Sequence, residues 1–382
     1  MNLDLKGLLI VFTIIQLFVF AVILMLLKRK ASANPFFLSV FFITLACNVF
    51  NLFMIQNPIY FKGFWIHLFY LGYPFAFAYA PSFYLYYKNF TDPNNHGFAK
   101  AIIHYIPFFI YLLHVLFRFT ILPTSDKEEF LQSDFLFTTG QYRLLVGVLH
   151  LQVFSYILAA VWQLRRYRLR LKNLLSSVEK YNHSWINSLL AGVICLWIMD
   201  LSRYFSSYIS AEIRTIIETG LFAVFLLFCY FFVYKAFTSS TYHLHTASAE
   251  NKKVSLSAKV RHNYYDSLQR YMAEKKVYLN PDLTLNDLSE LTTIPNRSLS
   301  ETIKLSTGKN FYDFINSYRI RESKKIFTED VKGDKTVLEV LYAVGFNSKS
   351  AFNSAFRKQT GMTPTEFRNN LSVAKENLKK SS

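Results

Sequence analysis

The sequence predicts an all-α chain in two parts: an N-terminal polytopic helical membrane domain of seven spans, then a part built from two helix–tight turn–helix units. Three observations carry this. Apolar runs separated by short polar breaks fill the chain to about residue 240 and stop there. Beyond that point, capping boxes open helices and glycines close them. Hydrophobic residues make up 52% of the chain and aromatics 18%, with 39 Phe and 25 Tyr, which excludes intrinsic disorder and argues against a single soluble domain.

Size and charge fit two parts. At ~150 residues per domain, 382 residues suggest two or three domains. Only 18% of residues are charged, yet the net charge is +17. Residues 1–242 hold 19 Lys/Arg against 10 Asp/Glu, and residues 243–382 hold 23 against 15. An apolar and basic chain points to two partners, a lipid bilayer and a polyanion. The boundaries expected are 1–237 for the membrane domain, 238–257 for a polar Ser/Thr-rich flexible linker, 258–371 for the second domain and 372–382 for a tail.

A span needs ~20 mostly apolar residues. The candidates lie at about 5–27, 36–56, 64–87, 101–122, 141–163, 185–209 and 216–237. The third carries Gly72, Pro74 and Pro81, which membrane helices tolerate when neighbours satisfy the freed backbone groups. The first is expected to stay as an anchor: it is too long for a simple signal-peptide core and lacks a small-x-small site before Lys28-Arg29-Lys30.

Loop charge gives the orientation. The loops after spans one, three and five carry Lys28, Arg29 and Lys30; Lys88 and Lys100; and Arg165, Arg166, Arg168, Arg170, Lys172 and Lys180. The alternate loops carry one basic residue each: Lys62, Lys127 and Arg214. The odd loops are therefore expected inside, the N-terminus outside and the C-terminal part in the cytoplasm. The basic loop 165–180 is explained by topology; contact with anionic headgroups is the other reading. Asp200 and Arg203, three apart in span six, form a candidate intramembrane signalling pair, with a structural pair as the plain alternative.

The second part opens with an amphipathic helix over 259–275. Thr284 to Asp287 (TLND) is a capping box before the stripe Leu285, Leu288 and Leu291. Ile294-Pro295-Asn296 breaks that helix. A second runs from Asn296 to about Ser306, with Leu299 and Ile303 inward and Gly308 at its end. A longer helix over 311–328, ~27 Å at 1.5 Å per residue, is made basic by Arg319, Arg321, Lys324 and Lys325. The pattern then repeats. Thr336 and Glu339 form a capping box before Val337, Val340, Leu341 and Val344; Gly345-Phe346 is the turn; Ser348 to Lys358 is the second helix of the unit, with Phe352 and Phe356 on its core face. Gly361 stops it, and Thr363-Pro364-Thr365-Glu366 starts a last helix. Helix, tight turn, helix is the DNA-reading module, its second helix lying in the major groove. The two second helices start 52 residues apart. A ~27 Å helix between them suits successive major grooves ~34 Å apart.

Leu341 to Arg368 (LYAVGFNSKSAFNSAFRKQTGMTPTEFR) resembles the signature of AraC/XylS-type transcription regulators. Ala343, Gly345, Phe346, Phe352, Phe356, Arg357, Gly361, Pro364, Phe367 and Arg368 occupy its places. Leu285 to Gly308 and the helix with Tyr318 and Arg319 also fit, so the resemblance covers about 260–371. Two departures stand: Val340-Leu341-Tyr342-Ala343 where the family often has Ile-Ala, and Glu301 on a helix the family often makes more basic. The resemblance implies a double helix-turn-helix DNA-binding domain of seven helices, a bacterial host and RNA polymerase as a partner.

The face opposite Phe352 and Phe356 presents Lys349, Ser350, Asn353 and Ser354; Lys suits guanine acceptors and Asn suits adenine. In the first unit Arg297, Ser300, Glu301 and Lys304 take that part. Asn347, Arg357, Lys358 and Lys309 are the expected phosphate contacts. The plain alternative for each face is solvated helix surface.

Cys47, Cys195 and Cys229 lie in apolar runs without metal-ligand spacing. The sequence holds no Gly-rich phosphate loop, metal cluster or nucleophile elbow, and His243 and His245 are too weak for a metal site. No catalysis, cofactor or metal is expected. The reading is a membrane-embedded, sequence-specific DNA-binding transcription regulator of the cytoplasmic membrane. Double-stranded DNA, the bilayer, RNA polymerase, a second copy of the chain and a signal ligand are its expected partners. Two alternatives stay open: a transporter or receptor with a regulatory tail, and a membrane part that is only an anchor.

Overall fold

The computed structural model describes residues 5–26, 35–57, 63–68, 71–92, 98–132, 140–178, 184–206, 210–238, 256–330 and 334–380. Among these residues there is no β-strand. The chain forms two compact units: Met1–Arg165 with His183–His243, and Arg166–Asn182 with Leu244–Ser382.

The first unit is a bundle of mostly apolar helices, the polar α6 excepted: α1 (Leu5–Leu26), α2 (Phe36–Gln56), α3 (Ala76–Thr91), α4 (Phe98–Ile102), α5 (Ile106–Val115), α6 (Thr124–Gln132), most of α7 (Gly140–Leu174), α8 (Ser184–Ser206) and α9 (Ala211–Thr238). Four stretches among the described residues are long and apolar enough to cross a membrane: Leu5–Leu26, Phe36–Met54, Lys100–Thr120 and Arg143–Leu174. Ile186–Ser202 and Thr215–Phe231, within α8 and α9, are apolar but shorter. Helix α1 shows why such a bundle suits lipid. Leu8, Phe12, Ile15, Val19 and Val22 recur every three or four residues and are all exposed, while Ile10, Leu17, Phe20 and Leu24 are buried. A water-soluble helix reverses that outer face.

The third apolar run, 64–87, does not form one helix. Short 3-10 turns at Gly63–Leu68 and Tyr73–Phe75 precede α3, which carries Pro81 inside it. Pro74 lacks an N–H and disfavours helical backbone in the residue before it. Gly72 is there for space: a Cβ would lie 2.3 Å from the Asn51 Cβ and 2.7 Å from the Cys47 carbonyl of α2. Polar groups inside the bundle are tied between helices. The Gln163 amide donates to the Thr91 hydroxyl at 3.0 Å, and Gln152 donates to the Phe77 carbonyl at 3.2 Å. Lys6 of α1 pairs with Glu218 of α9. Lys127 is buried, donating to the Thr120 carbonyl at 3.0 Å beside the Phe119 ring.

The second unit contains α10 (Ala258–Lys275), α11 (Leu285–Thr292), α12 (Asn296–Thr307), α13 (Phe311–Glu329), α14 (Val337–Ala343), α15 (Lys349–Thr360) and α16 (Pro364–Lys380). Caps decide where they start. Thr284 with Asp287 and Thr336 with Glu339 form complete capping boxes. The Thr363 N–H donates to Glu366 at 2.7 Å, and the Glu366 N–H donates to the Thr363 hydroxyl at 3.3 Å. Ser257, Asn310 and Ser348 cap α10, α13 and α15.

Two apolar cores result. Leu268, Met272, Leu285, Leu288, Leu299, Ile303, Phe311, Phe314 and Ile315 belong to the first; Ile320, Phe327, Val340, Leu341, Phe346, Phe352 and Phe356 belong to the second. Helix α13 feeds the first with its start and the second with its end, so it is the shared wall. Leu279 packs against both cores. Leu291, expected in the stripe of α11, is 48% exposed. At 3.6 residues per turn a strict three-residue spacing drifts off the face by the third position.

Candidate nucleic-acid interface

The second helix of each unit is placed by its own turn. Helix α11 ends with Thr293 in the left-handed region (φ 57°), and Pro295, in extended backbone, precedes α12. In the second unit the left-handed position is Gly345 (φ 88°). Gly345 also needs the absence of a side chain: a Cβ would lie 2.5 Å from the Leu279 carbonyl oxygen. Only glycine combines that φ with that approach. The Ser348 hydroxyl then accepts from the Ala351 N–H at 3.3 Å and starts α15.

Helix α15 is two-faced. Ala351, Phe352, Ala355 and Phe356 are buried. Lys349, Ser350, Ser354, Arg357 and Lys358 are exposed, and Asn353 is half-buried. The expected residues therefore share one outward side, and Phe352 packs edge-on to Phe346 and Phe356, holding the helix on its core. In α12, Ser298, Leu299, Thr302 and Ile303 are buried, Arg297, Ser300 and Glu301 are half-buried, and Lys304 is exposed, as is Lys309 beyond the helix. The first face is thus the more recessed of the two. Its cation at Lys304 lies in the last turn, where the helix dipole favours it.

Two of the expected phosphate contacts have distinct surroundings. Lys358 donates to Asp313 at 2.9 Å, tying α15 to the first turn of α13. The amide nitrogen of Asn347, just before the cap of α15, is buried without a partner. Beside it are the open N–H groups of a helix start, a ready site for an oxyanion.

Arg319 departs from its sequence reading. It does not add to a basic surface; it is wholly buried. Its Nε donates to the Tyr278 carbonyl at 2.7 Å, and its Nη2 donates to the Asn280 carbonyl at 2.8 Å. Its Nη1 and Nη2 reach the Ser176 carbonyl and hydroxyl at 3.0 and 3.1 Å. Its guanidinium lies 5.5 Å from the Phe346 ring centre. The signal was present in the sequence: Arg319 follows Phe311 and Ile315 at four-residue steps along the core stripe of α13. One turn on, Glu322 accepts from Lys276 at 2.7 Å and from the Tyr278 hydroxyl at 3.1 Å. The Lys276 hydrogen bond holds the Glu322 carboxyl below its ordinary range, and burial with the Glu322 charge pushes the Tyr278 phenol up to about 12.

Other expected residues lie partly outside the described residues. Asp200 is half-buried in α8, while the side chain of its expected partner Arg203 lies outside them, as do Lys28, Arg29, Lys30, Lys62, Lys180, the Arg214 side chain and linker residues 239–255. Among the described residues no cluster of His, Cys, Asp and Glu has the makings of a metal site.

Comparison with known proteins agrees with the geometry. A family described as helix-turn-helix domain matches residues 288–370. An uncharacterized HTH-type transcriptional regulator from the cgkA 5' region of Pseudoalteromonas carrageenovora is 30% identical over 95 residues, 25% of this chain and 54% of that protein. The uncharacterized HTH-type transcriptional regulator YobQ of Bacillus subtilis (strain 168) is 34% identical over 89 residues, 23% of this chain and 36% of its own. A third such regulator, of Staphylococcus aureus (strain COL), is 29% identical over 102 residues, 27% of this chain and 13% of its own length. The chain therefore spans about half or less of these relatives. No solved structure matches it. Two capped units on a shared wall, each with a polar outward helix, and these likenesses together lead to one conclusion: the C-terminal part of the chain carries a helix-turn-helix domain like those of HTH-type transcriptional regulators.

Proposed function

We propose that this chain is a membrane-embedded, sequence-specific transcription regulator of the AraC type, in which a seven-span membrane domain senses a cue and a cytoplasmic domain reads promoter DNA. The observation that carries it is the pairing of two features in one chain. One is the duplicated, capped unit whose outer helices present Arg297, Ser300, Glu301 and Lys304, then Lys349, Ser350, Asn353 and Ser354. The other is a set of helices long and apolar enough to cross a membrane. Bound DNA would meet Lys349 and Asn353 at base edges in the major groove. Asn347, Arg357, Lys309 and the N–H groups at the start of α15 would meet phosphates. Lys358, already neutralised by Asp313, serves the docking of α15 as well as the anion.

Signalling follows population logic. A cue moves the equilibrium only if it binds one packing of the membrane helices better than another. RNA polymerase and a second copy of the chain are the partners such a regulator needs at a promoter. The test is selection of DNA from a random pool by the purified full chain in lipid nanodiscs. Enrichment of one sequence class by the unsubstituted chain, lost in Arg297→Ala/Lys349→Ala, supports the reading. Equal, unselective retention by both chains contradicts it. Reporter fusions at Phe130 and Lys172 test the orientation, with a cytoplasmic signal expected at Lys172 alone.

A further inference from the structure

We infer that the segment Leu174–Ser177, at and just beyond the end of α7, is a docking strap for the joint between the two helix-turn-helix units, and that through it the end of α7 sets the geometry of that joint. The consequence for promoter output rests on the proposed function; the docking itself does not.

The joint is the loop Lys276–Leu283. Like α13, it is shared by both cores, since Leu279 packs against each. Four fixings hold it. Glu322 takes Lys276 and the Tyr278 hydroxyl. Arg319 takes the Tyr278 and Asn280 carbonyls. Gly345, the turn of the second unit, lies against the Leu279 carbonyl. The fourth is the strap. The Ser176 N–H donates to the Leu283 carbonyl at 3.1 Å, and Leu175 pairs with Thr284 in an antiparallel bridge. Ser176 also completes the shell of Arg319 with its carbonyl and hydroxyl, and Leu174 packs against the first core. Lys172 lies 5.7 Å from the Tyr312 ring centre. Leu175 and Ser176 are 2% and 1% exposed.

This is not how a basic loop serving topology alone is built. Such a loop needs charge near the bilayer and no buried partners. Here the basic residues Arg166, Arg168 and Arg170 are exposed, and the part that docks is the apolar, small-residue end that follows them. The buried guanidinium makes the contact matter. Without Ser176, Arg319 loses two of its acceptors in a buried site, and the cost falls on the residue that also holds the joint. Because α7 runs unbroken to Leu174, its last turns carry the strap that Arg319 holds.

The experiment uses the full chain in membranes of its host, with Cys47, Cys195 and Cys229 replaced by Ala and a protease site inserted after residue 250. The pair Leu175→Cys/Thr284→Cys occupies bridged positions whose Cα separation a disulfide can span. After mild oxidation and cleavage, the two fragments are expected to migrate together and to part on reduction. Fragments that part without reduction overturn the docking. Hydrogen exchange on the full chain carrying Leu175→Asp reads the coupling. Amides of 277–284 are expected to exchange about tenfold faster or more, with those of α15 following. Unchanged exchange across 277–284 overturns it. Neither readout needs DNA. A chain that docks but selects no sequence in the nanodisc experiment fails as a regulator only.

Discussion

Arg319 is the residue on which the second unit turns. Its donors are spread over three carbonyls from two separate stretches of chain, a fan that a guanidinium fork fills and an ammonium does not. Arg319→Lys is therefore expected to destabilise the C-terminal unit by about 3 kcal/mol, seen as earlier loss of its amide protection in denaturant with α1 unaffected. Glu322 adds a pH dependence. Its carboxyl is held low in the folded chain, so its contribution is present above the ordinary carboxylate pKa of about 4.3 and is lost as pH falls through the lower folded value. The stability difference between the unsubstituted chain and Glu322→Gln should hold from pH 7 to about 5 and vanish in strong acid. A difference that grows on acidification contradicts that sign.

At the scale of elements, termini were more legible than faces. The capping boxes at Thr284 and Thr336 and the stop at Gly361 stand where the residue types demand. Faces drifted: Leu291 falls off its stripe, and Arg319 was read by its charge rather than by its place on one. The run 64–87 reads as a span by composition, yet Gly72 and Pro74 break it before α3. The fixing of the Lys276–Leu283 joint was invisible, since it depends on Arg319, 41 positions after Tyr278, and Ser176, 107 positions before Leu283, meeting one loop. Two substitutions test the helix ends. Ser348→Ala removes the cap of α15 and should cost about 1 kcal/mol. Thr293→Asn relieves a β-branched residue held at φ 57° and should add about 0.5–1 kcal/mol, measured by exchange protection over 285–307. On the outward face, Lys349→Ala should weaken DNA binding about tenfold and change which base is preferred, whereas Arg357→Ala should weaken all sequences alike and lower the salt slope by about one.

For the whole molecule, the contrast is between a first unit that exposes many large apolar side chains around its buried ones and a second whose apolar side chains are gathered into two cores. The basic loop was expected over 165–180 as part of the membrane domain; from Arg166 onward it groups with the second unit. Their charge pointed to the membrane, while the docking end, Leu174–Ser177, carries no charge to announce it. The central claim is that one chain both resides in the membrane and reads promoters. Genome-wide crosslinking of the tagged full-length chain in its own host, beside Arg297→Ala/Lys349→Ala, tests it most directly. The account predicts sharp promoter peaks from membrane-bound protein that the variant loses at equal abundance. Peaks kept by the variant, or no peaks while the chain is abundant in the membrane across growth conditions, would contradict it.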